Sequence, residues 1–220
     1  EISAEIFFNG IMIPGLDHLS SSIENFPSLR ALALKFTGDA ILEPKLLQLL
    51  LTTIEQNCPE FNSLTIWSRS NEVFGDSHID ALNSSTEFLA KLETFVLDLK
   101  DVGSYGEESI TKLIANLCYR TKLKELRLDI SSNPRITREI LPYICAMLVT
   151  LPQLRTLHLN LAFSFPLTVE NYELIGKLLC QMKQLTYVLI TVRAEFGEQY
   201  RQLIELLANH PRTKYSIYFE

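Results

Sequence analysis

Histidine and carboxylate side chains are the first candidates for chemistry in this chain, because together they carry out much of acid–base catalysis. Of the four histidines, His18, His78 and His210 fall in predicted loops or helix ends, where an imidazole is normally solvated. His158 differs, because the predicted strands would place it near Asp129 on a neighbouring strand. Nothing supplies a nucleophile or a third ligand for such a pair. A structural role, or a response to pH, is therefore the favoured interpretation.

Other signatures of enzymes are missing from the sequence. There is no G-x-S-x-G, no phosphate-binding glycine run, no H-E-x-x-H and no D-x-D-x-D-G pattern. Four cysteines, at positions 58, 118, 145 and 180, are too widely spaced for a metal knuckle or a disulfide-rich module. The sequence therefore predicts no enzymatic activity, no metal and no cofactor.

Composition and charge disfavour further classes of function. The chain has 220 residues, 47% of them hydrophobic, and a net charge of -6, which disfavours nucleic acid or anionic lipid as the main partner. No apolar run reaches the roughly 18 residues that a membrane helix needs. Cysteines interpreted as reduced, buried thiols favour a cytoplasmic location, although the glycosylation sequon at Asn83 points the other way. The start, without a methionine or a basic signal segment, suggests a chain excised from a longer one.

The elements that must position these residues come from an internal repeat. An apolar LxxLxL pattern begins six times, with successive starts 32, 31, 31, 31 and 31 residues apart, at Leu29, Phe61, Leu92, Leu123, Leu154 and Leu185. A weaker copy begins at Lys214. Alternation of this kind predicts short strands with one buried face.

Helical patterning fills the segments between the predicted strands. An aliphatic residue precedes each strand start by ten positions, at Leu51, Leu82, Leu113, Ile144, Ile175 and Ile204. The predicted helices span about 43–57, 77–90, 107–119, 137–149, 168–181 and 197–209, with N-caps at Ser77, Thr137 and Thr168. Connections that contain a helix require parallel strands, and stacked units bury a continuous core. Because strands pack closer together than helices, the sheet should line the concave side of a curved solenoid.

These strands and helices at near-constant spacing resemble leucine-rich repeats, specifically the long, helix-containing, ribonuclease-inhibitor-like kind, over residues 29–219. The resemblance implies an α/β, right-handed solenoid of about seven repeats, with parallel strands on the concave face and helices on the convex face. One domain would span 1–220: an N-terminal end unit over 1–28, six repeats over 29–213 and a terminal strand over 214–220. In the end unit, a strand is expected around Ile6 to Phe8 and a helix from about Asp17 to Asn25.

The sequence departs from this family at the bend after each strand. The family usually has Asn or Cys there, whereas this chain has Thr37, Arg69, Lys100, Ser131, Ala162 and Arg193. Other hydrogen bonds must therefore close the bend.

The concave side chains are the predicted partner-binding residues. A mixed polar and aromatic surface of this kind suits another macromolecule, and the candidates are Trp67, Asp98, Glu125, Arg127, Asp129, His158, Asn160 and Tyr187. Two alternatives stay open. The charged members can simply keep an exposed sheet soluble, and a one-residue register slip would bury Trp67.

The leading hypothesis is a noncatalytic module that binds an unidentified protein partner on its concave face and is a monomer in isolation. The resemblance also allows a substrate receptor of a ubiquitin ligase. A further alternative is a regulator of a GTPase, with Arg69, Arg135 and Arg193 in loops as the only candidates. Stacking of open sheet edges into a homo-oligomer is the structural alternative.

Overall fold

The computed structural model describes residues 2–9, 21–38, 40, 43–85, 91–162, 167–192 and 214–219. Strands and helices alternate along most of these residues. The strands are β1 Ile2–Asn9, β2 Leu29–Thr37, β3 Ser63–Trp67, β4 Thr94–Asp98, β5 Glu125–Asp129, β6 Thr156–Leu161, β7 Tyr187–Val192 and β8 Lys214–Phe219. The helices are α1 Pro44–Asn57, α2 Asp76–Ser84, α3 Glu107–Leu117, α4 Leu141–Val149 and α5 Val169–Gln181, and a 3-10 turn, Arg138–Ile140, leads into α4.

All of the described strands belong to one sheet. Its eight strands lie in sequence order and every neighbouring pair is parallel. The predicted parallel pairing is therefore confirmed, and it extends to β1 and β8 at the two edges. An α/β arrangement of this kind, with one open parallel sheet, is consistent with a solenoid-like fold.

The strand register settles the alternative for Trp67. Trp67 pairs with Lys35 on one side and with Asp98 on the other. Its neighbour Ile66 is fully buried, whereas Trp67 retains 39% of its exposure. The register slip that would bury the tryptophan does not occur, because Leu64 and Ile66 occupy the core positions.

The core lies between the sheet and the helices. Leu32 and Leu34 of β2 pack in one cluster with the buried residues of α1. Five members of the predicted aliphatic column are at most 2% exposed: Leu51, Leu82, Leu113, Ile144 and Ile175. Burial of each such side chain contributes about 1.5–3 kcal/mol, so the repeated helix face is a principal source of stability.

Helix starts follow the predicted caps in two of three cases. The side chain of Thr168 accepts a hydrogen bond from the backbone N–H of Asn171, and that of Thr137 accepts one from Glu139. The cap at Ser77 is wrong: α2 begins at Asp76, after Gly75. The helix expected at 197–209 and residues 86–90 of the one expected at 77–90 lie outside the described residues.

His78 departs from the expectation of a solvated imidazole. It is 5% exposed, and its Nδ1 accepts a hydrogen bond of 3.1 Å from the backbone N–H of Gly75. Its ring stacks on Phe74 with 4.7 Å between centroids. The buried imidazole therefore satisfies the backbone N–H of the residue that precedes α2. His18 and His210 lie outside the described residues.

Two buried asparagines help to close the bends after the strands. Asn71 donates to the carbonyl of Ala40 at 2.9 Å and accepts from the backbone N–H groups of Val73 and Phe74. Asn133 donates to the carbonyl of Tyr105 at 3.0 Å and accepts from the N–H of Arg135 at 2.8 Å. The expectation that other hydrogen bonds close these bends is confirmed. The asparagines lie two positions beyond Arg69 and Ser131, the bend positions named in the sequence.

The predicted end unit and the predicted absence of a membrane helix can be compared with the structure over the described residues. The predicted strand around Ile6 is confirmed, though β1 is longer, and residues 21–23 of the expected helix are helical. None of the described helices combines the length and the apolar character required to cross a bilayer.

Candidate functional site

The candidate site is the open face of the sheet, defined here as the strand side chains that point away from the helices. Neighbouring strands align these side chains in three rows. The first row is Ser3, Ala31, Ser63, Thr94, Glu125, Thr156 and Tyr187; the second is Glu5, Ala33, Thr65, Val96, Arg127, His158 and Leu189; the third is Phe7, Lys35, Trp67, Asp98, Asp129, Asn160 and Thr191. An open cavity of about 880 Å³ lies on this face and is lined by residues of β1 to β7.

An aromatic and lysine cluster occupies one end of the third row. The Nζ atom of Lys35 lies 3.9 Å from the centre of the Trp67 ring and 4.7 Å from that of Phe7. Lys35 also forms an ion pair with Glu5. Because a cation is attracted to the face of an aromatic ring, this lysine links β1, β2 and β3. Trp67 and Phe7 nevertheless remain 39% and 58% exposed.

Asp98 follows Trp67 in the same row and is paired with an arginine. It is 8% exposed, and Nε of Arg69 donates to its Oδ2 at 2.7 Å. This hydrogen bond raises the pKa of Arg69 above its ordinary value, so the guanidinium stays charged. Oδ1 of Asp98 accepts the backbone N–H of Lys100, and the carboxylate therefore helps to close the bend after β4.

Asp129 closes the next bend in the same way but has a different environment. Its Oδ1 accepts from the backbone N–H and the hydroxyl of Ser131, and its Oδ2 accepts from the amide of Asn160 at 2.9 Å. All of these donors are neutral. Burial raises the pKa of Asp129 above its ordinary value, and the charge of Asp98 adds to the effect.

The remaining candidates lie in the first and second rows. Nε of Arg127 donates to Glu125 at 2.5 Å, and His158 is opposite Arg127 in the register. Burial lowers the pKa of His158, as does the charge of Arg127, so its imidazole is neutral near pH 7. The ring of Tyr187 lies 5.0 Å from that of His158.

Asp129 and His158, which the predicted strands would place near each other, do not form a carboxylate–imidazole pair. The register places Asp129 opposite Asn160 and His158 opposite Arg127. The carboxylate takes its hydrogen bonds from Ser131 and Asn160 instead. Among the described residues, no group of three or more His, Cys, Asp or Glu side chains could hold a metal ion.

All eight predicted site residues lie on the open face, and seven of them line the cavity: Trp67, Asp98, Glu125, Arg127, Asp129, His158 and Asn160. Tyr187 lies in the first row beside them. The partner-binding residues predicted from the sequence do not include Phe7 and Lys35, which share the row of Trp67, or Arg69. The shared strand register was the signal for the first two, whereas nothing in the spacing assigns Arg69 to Asp98.

The four cysteines all lie among the described residues. None of the four forms a disulfide, and Cys58 and Cys145 are buried. Burial raises the pKa of Cys145 to about 11, which makes it a poor nucleophile.

Of the other loop arginines named from the sequence, Arg135 donates to the carbonyl of Ser104 at 3.2 Å. Arg193 lies outside the described residues.

Comparison with other proteins adds little to this geometry. No known protein family matches the chain, and no curated protein matches it. One similar solved structure is a crystal structure of a protein from Bacteroides fragilis, a target of the Northeast Structural Genomics Consortium. The match has a TM-score of 0.48 and 12% sequence identity, and it covers 97% of this chain and 73% of that chain. The site is therefore interpreted from its own chemistry.

Proposed function

We propose that this chain is a leucine-rich-repeat-like, right-handed solenoid that acts as a noncatalytic module and binds a protein partner on its open face. The sheet would form the concave side and the helices the convex side. Strand order and the repeated 31-residue register support this interpretation. Repeat proteins of this type expose a large continuous surface without a deep pocket.

The observation that carries the proposal is the exposed tryptophan inside the cavity. Trp67 and Phe7 are large apolar side chains on a face where the neighbouring side chains are mostly polar. Tryptophan is enriched among the residues that dominate binding energy at protein interfaces. An exposed aromatic group surrounded by polar groups is the pattern that such an interface has before its partner binds.

Two of the three arginines considered for GTPase regulation are less suited to that role. Arg69 is bound to Asp98 at 2.7 Å, and Arg135 is bound to the carbonyl of Ser104. An arginine that enters a partner's active site must leave such contacts and lose their energy. These two contacts favour binding by the open face over catalysis in a partner.

Site-directed photo-crosslinking tests the proposal. A photoreactive residue would replace Thr65 or Thr94 on the open face, or, as controls, Lys112 or Lys177 on the helices. After irradiation in cells that express the protein, we expect a discrete crosslinked partner from the first two positions. Crosslinks from the helix positions alone would contradict the proposal.

A pair of substitutions provides a second test with purified partner. Trp67→Ala should weaken binding at least tenfold, in the range found for interface hot spots. Tyr143→Ala is the matched control, because Tyr143 is an exposed aromatic residue on α4, 53% exposed. Equal effects of the two changes would show that the open face is not the binding surface.

A further inference from the structure

The charges that the described residues place on the open face, together with Arg69 at its edge, are almost completely paired. Lys35 pairs with Glu5, Arg69 with Asp98, and Arg127 with Glu125. The exception is Asp129, which lines the same cavity. Among the described residues it forms no ion pair, and all of its hydrogen-bond donors are neutral. Four of these side chains carry a negative charge and three a positive one, and Arg69 attracts Asp129 as well as Asp98, so the described part of the open face has one negative charge in excess.

The hydrogen bonds that the described residues donate to Asp129 leave one acceptor position on Oδ2 unused. A carboxylate offers about four acceptor positions, two on each oxygen. Oδ1 already accepts two hydrogen bonds, both from Ser131, whereas Oδ2 accepts one, from Asn160. The remaining position belongs to a partly buried carboxylate, where an added cationic donor has more effect than at an exposed site.

An apolar contact is available at a defined distance from this charge. Trp67, Asp98 and Asp129 are aligned on three successive strands. Adjacent strands lie about 4.8 Å apart, so Trp67 and Asp129 are separated by roughly 10 Å along the row. A partner segment that crosses the strands would meet both groups.

We infer that the segment bound by the open face carries a lysine or arginine whose cation contacts Oδ2 of Asp129, with an apolar side chain roughly 10 Å away packed on Trp67. This inference rests on the proposed function and specifies the chemistry of the partner. Charge complementarity favours a basic segment, because its cation would balance the excess negative charge at Asp129, whereas an acidic segment would add to that excess.

A random peptide library displayed on phage tests the inference without a known partner. The library would be selected on the wild-type protein, and a selected peptide would then be synthesised with its basic residue or with glutamine. We expect lysine or arginine to be enriched at one position. Replacement by glutamine should weaken binding to the wild-type protein roughly tenfold or more, a comparison that requires no protein variant.

Two protein variants then locate the contact. Asp129→Asn should weaken the binding of the basic peptide as much as the replacement of its basic residue by glutamine does. It should not weaken the binding of the glutamine peptide further. Asp101→Asn is the control, because it removes the same charge from the exposed bend one repeat earlier, where Asp101 accepts from Ser70. The asparagine variant of Asp101 should bind like the wild type.

The outcomes separate the inference from the proposed function. Peptides without basic enrichment that still change the fluorescence of Trp67, the single tryptophan, would overturn the inference and leave the proposed function standing. The same holds for basic peptides that bind Asp129→Asn at full affinity. A third outcome would overturn both the inference and the proposed function: selected peptides that leave the fluorescence of Trp67 unchanged and lose their binding when residues on the helices are substituted.

Discussion

Arg69 approaches one carboxylate oxygen of Asp98 with two nitrogens, Nε at 2.7 Å and Nη2 at 2.6 Å. The arginine belongs to the bend after β3 and the aspartate to the end of β4, so the contact joins successive repeats. The other oxygen of Asp98 accepts the backbone N–H of Lys100. One repeat thus holds the side chain that closes the bend of the next.

Removal of Arg69 should leave a buried charge without its cation. Asp98 is 8% exposed, so we expect Arg69→Met to lower the free energy of unfolding by about 1–2 kcal/mol, less than for a fully buried pair because Arg69 is itself exposed. Urea unfolding measures the change. Arg30→Met is the control, since Arg30 and Glu60 are both well exposed. Equal losses in the two variants would contradict this account.

The buried asparagines should be more important for stability than their number suggests. Asn71→Ala removes the partner of one carbonyl and two backbone N–H groups, so we expect a loss of about 2–3 kcal/mol in unfolding free energy. Asn116→Ala, which breaks a partly exposed contact with Asn83, should cost less than 1 kcal/mol by the same reasoning. A similar cost for both would show that the bend does not depend on Asn71.

The sequence predicted the strands, the buried column and the open face because each depends on a pattern that recurs in every repeat. Periodicity places Leu64 and Ile66 in the core and Trp67 outside it. The residues that close the bends were harder to predict. Asn71 and Asn133 are 62 residues apart, which is two repeats of 31, and Val102 occupies the equivalent position in the repeat between them, so the asparagine does not recur in every repeat. The burial of His78 and the pairing of Arg69 depend on single side-chain contacts, which no periodic pattern encodes.

A strained backbone position recurs in the bends. Ser70, Asp101 and Ser132 are each 31 residues apart and have positive φ angles of 52°, 59° and 58°. Glycine adopts this region without the steric cost that a side chain brings. We therefore expect Ser132→Gly to raise the free energy of unfolding by about 0.5–1 kcal/mol.

The opposite result is expected within a strand. Ser63→Gly, in β3, should lower stability by about 0.5–1 kcal/mol, because glycine loses more conformational freedom there. Thermal unfolding of the two variants beside the wild type checks the contrast. Destabilisation by both would mean that the positive φ at Ser132 carries no strain.

The contact of Lys35 with Trp67 should be visible in fluorescence. Lys35→Met keeps much of the apolar stem but removes the cation that lies 3.9 Å from the indole ring. We expect a change in the emission of Trp67 and a loss of about 1 kcal/mol in stability. Lys124→Met, which disrupts an exposed ion pair with Glu93, should leave the emission unchanged. An unchanged spectrum in Lys35→Met would argue against the contact.

Asp129 should give the protein a pH dependence opposite in sign to that of most carboxylates. Burial raises its pKa above the ordinary value of 3.8, so the folded protein binds this proton more tightly than the unfolded chain. Its stabilising contribution is fully present below the unfolded pKa and is lost as the pH rises through the raised folded pKa. The stability of Asp129→Asn relative to the wild type should therefore increase as the pH rises from the unfolded pKa to the folded pKa. Above the folded pKa the difference between the two proteins should stay constant.

Asp76 provides the contrast for this measurement. Hydrogen bonds from Ser109 and from the backbone of Gly106 lower its pKa, so its contribution is present above the unfolded pKa and is lost as the pH falls through the lowered folded value. Asp76→Asn should lose stability relative to the wild type as the pH rises. Urea unfolding at a series of pH values should thus give differences of opposite sign for the two variants. If both differences have the same sign, the carboxylate of Asp129 is not held in the unfavourable environment that its burial and the charge of Asp98 produce, and the reason to expect a basic partner there is lost.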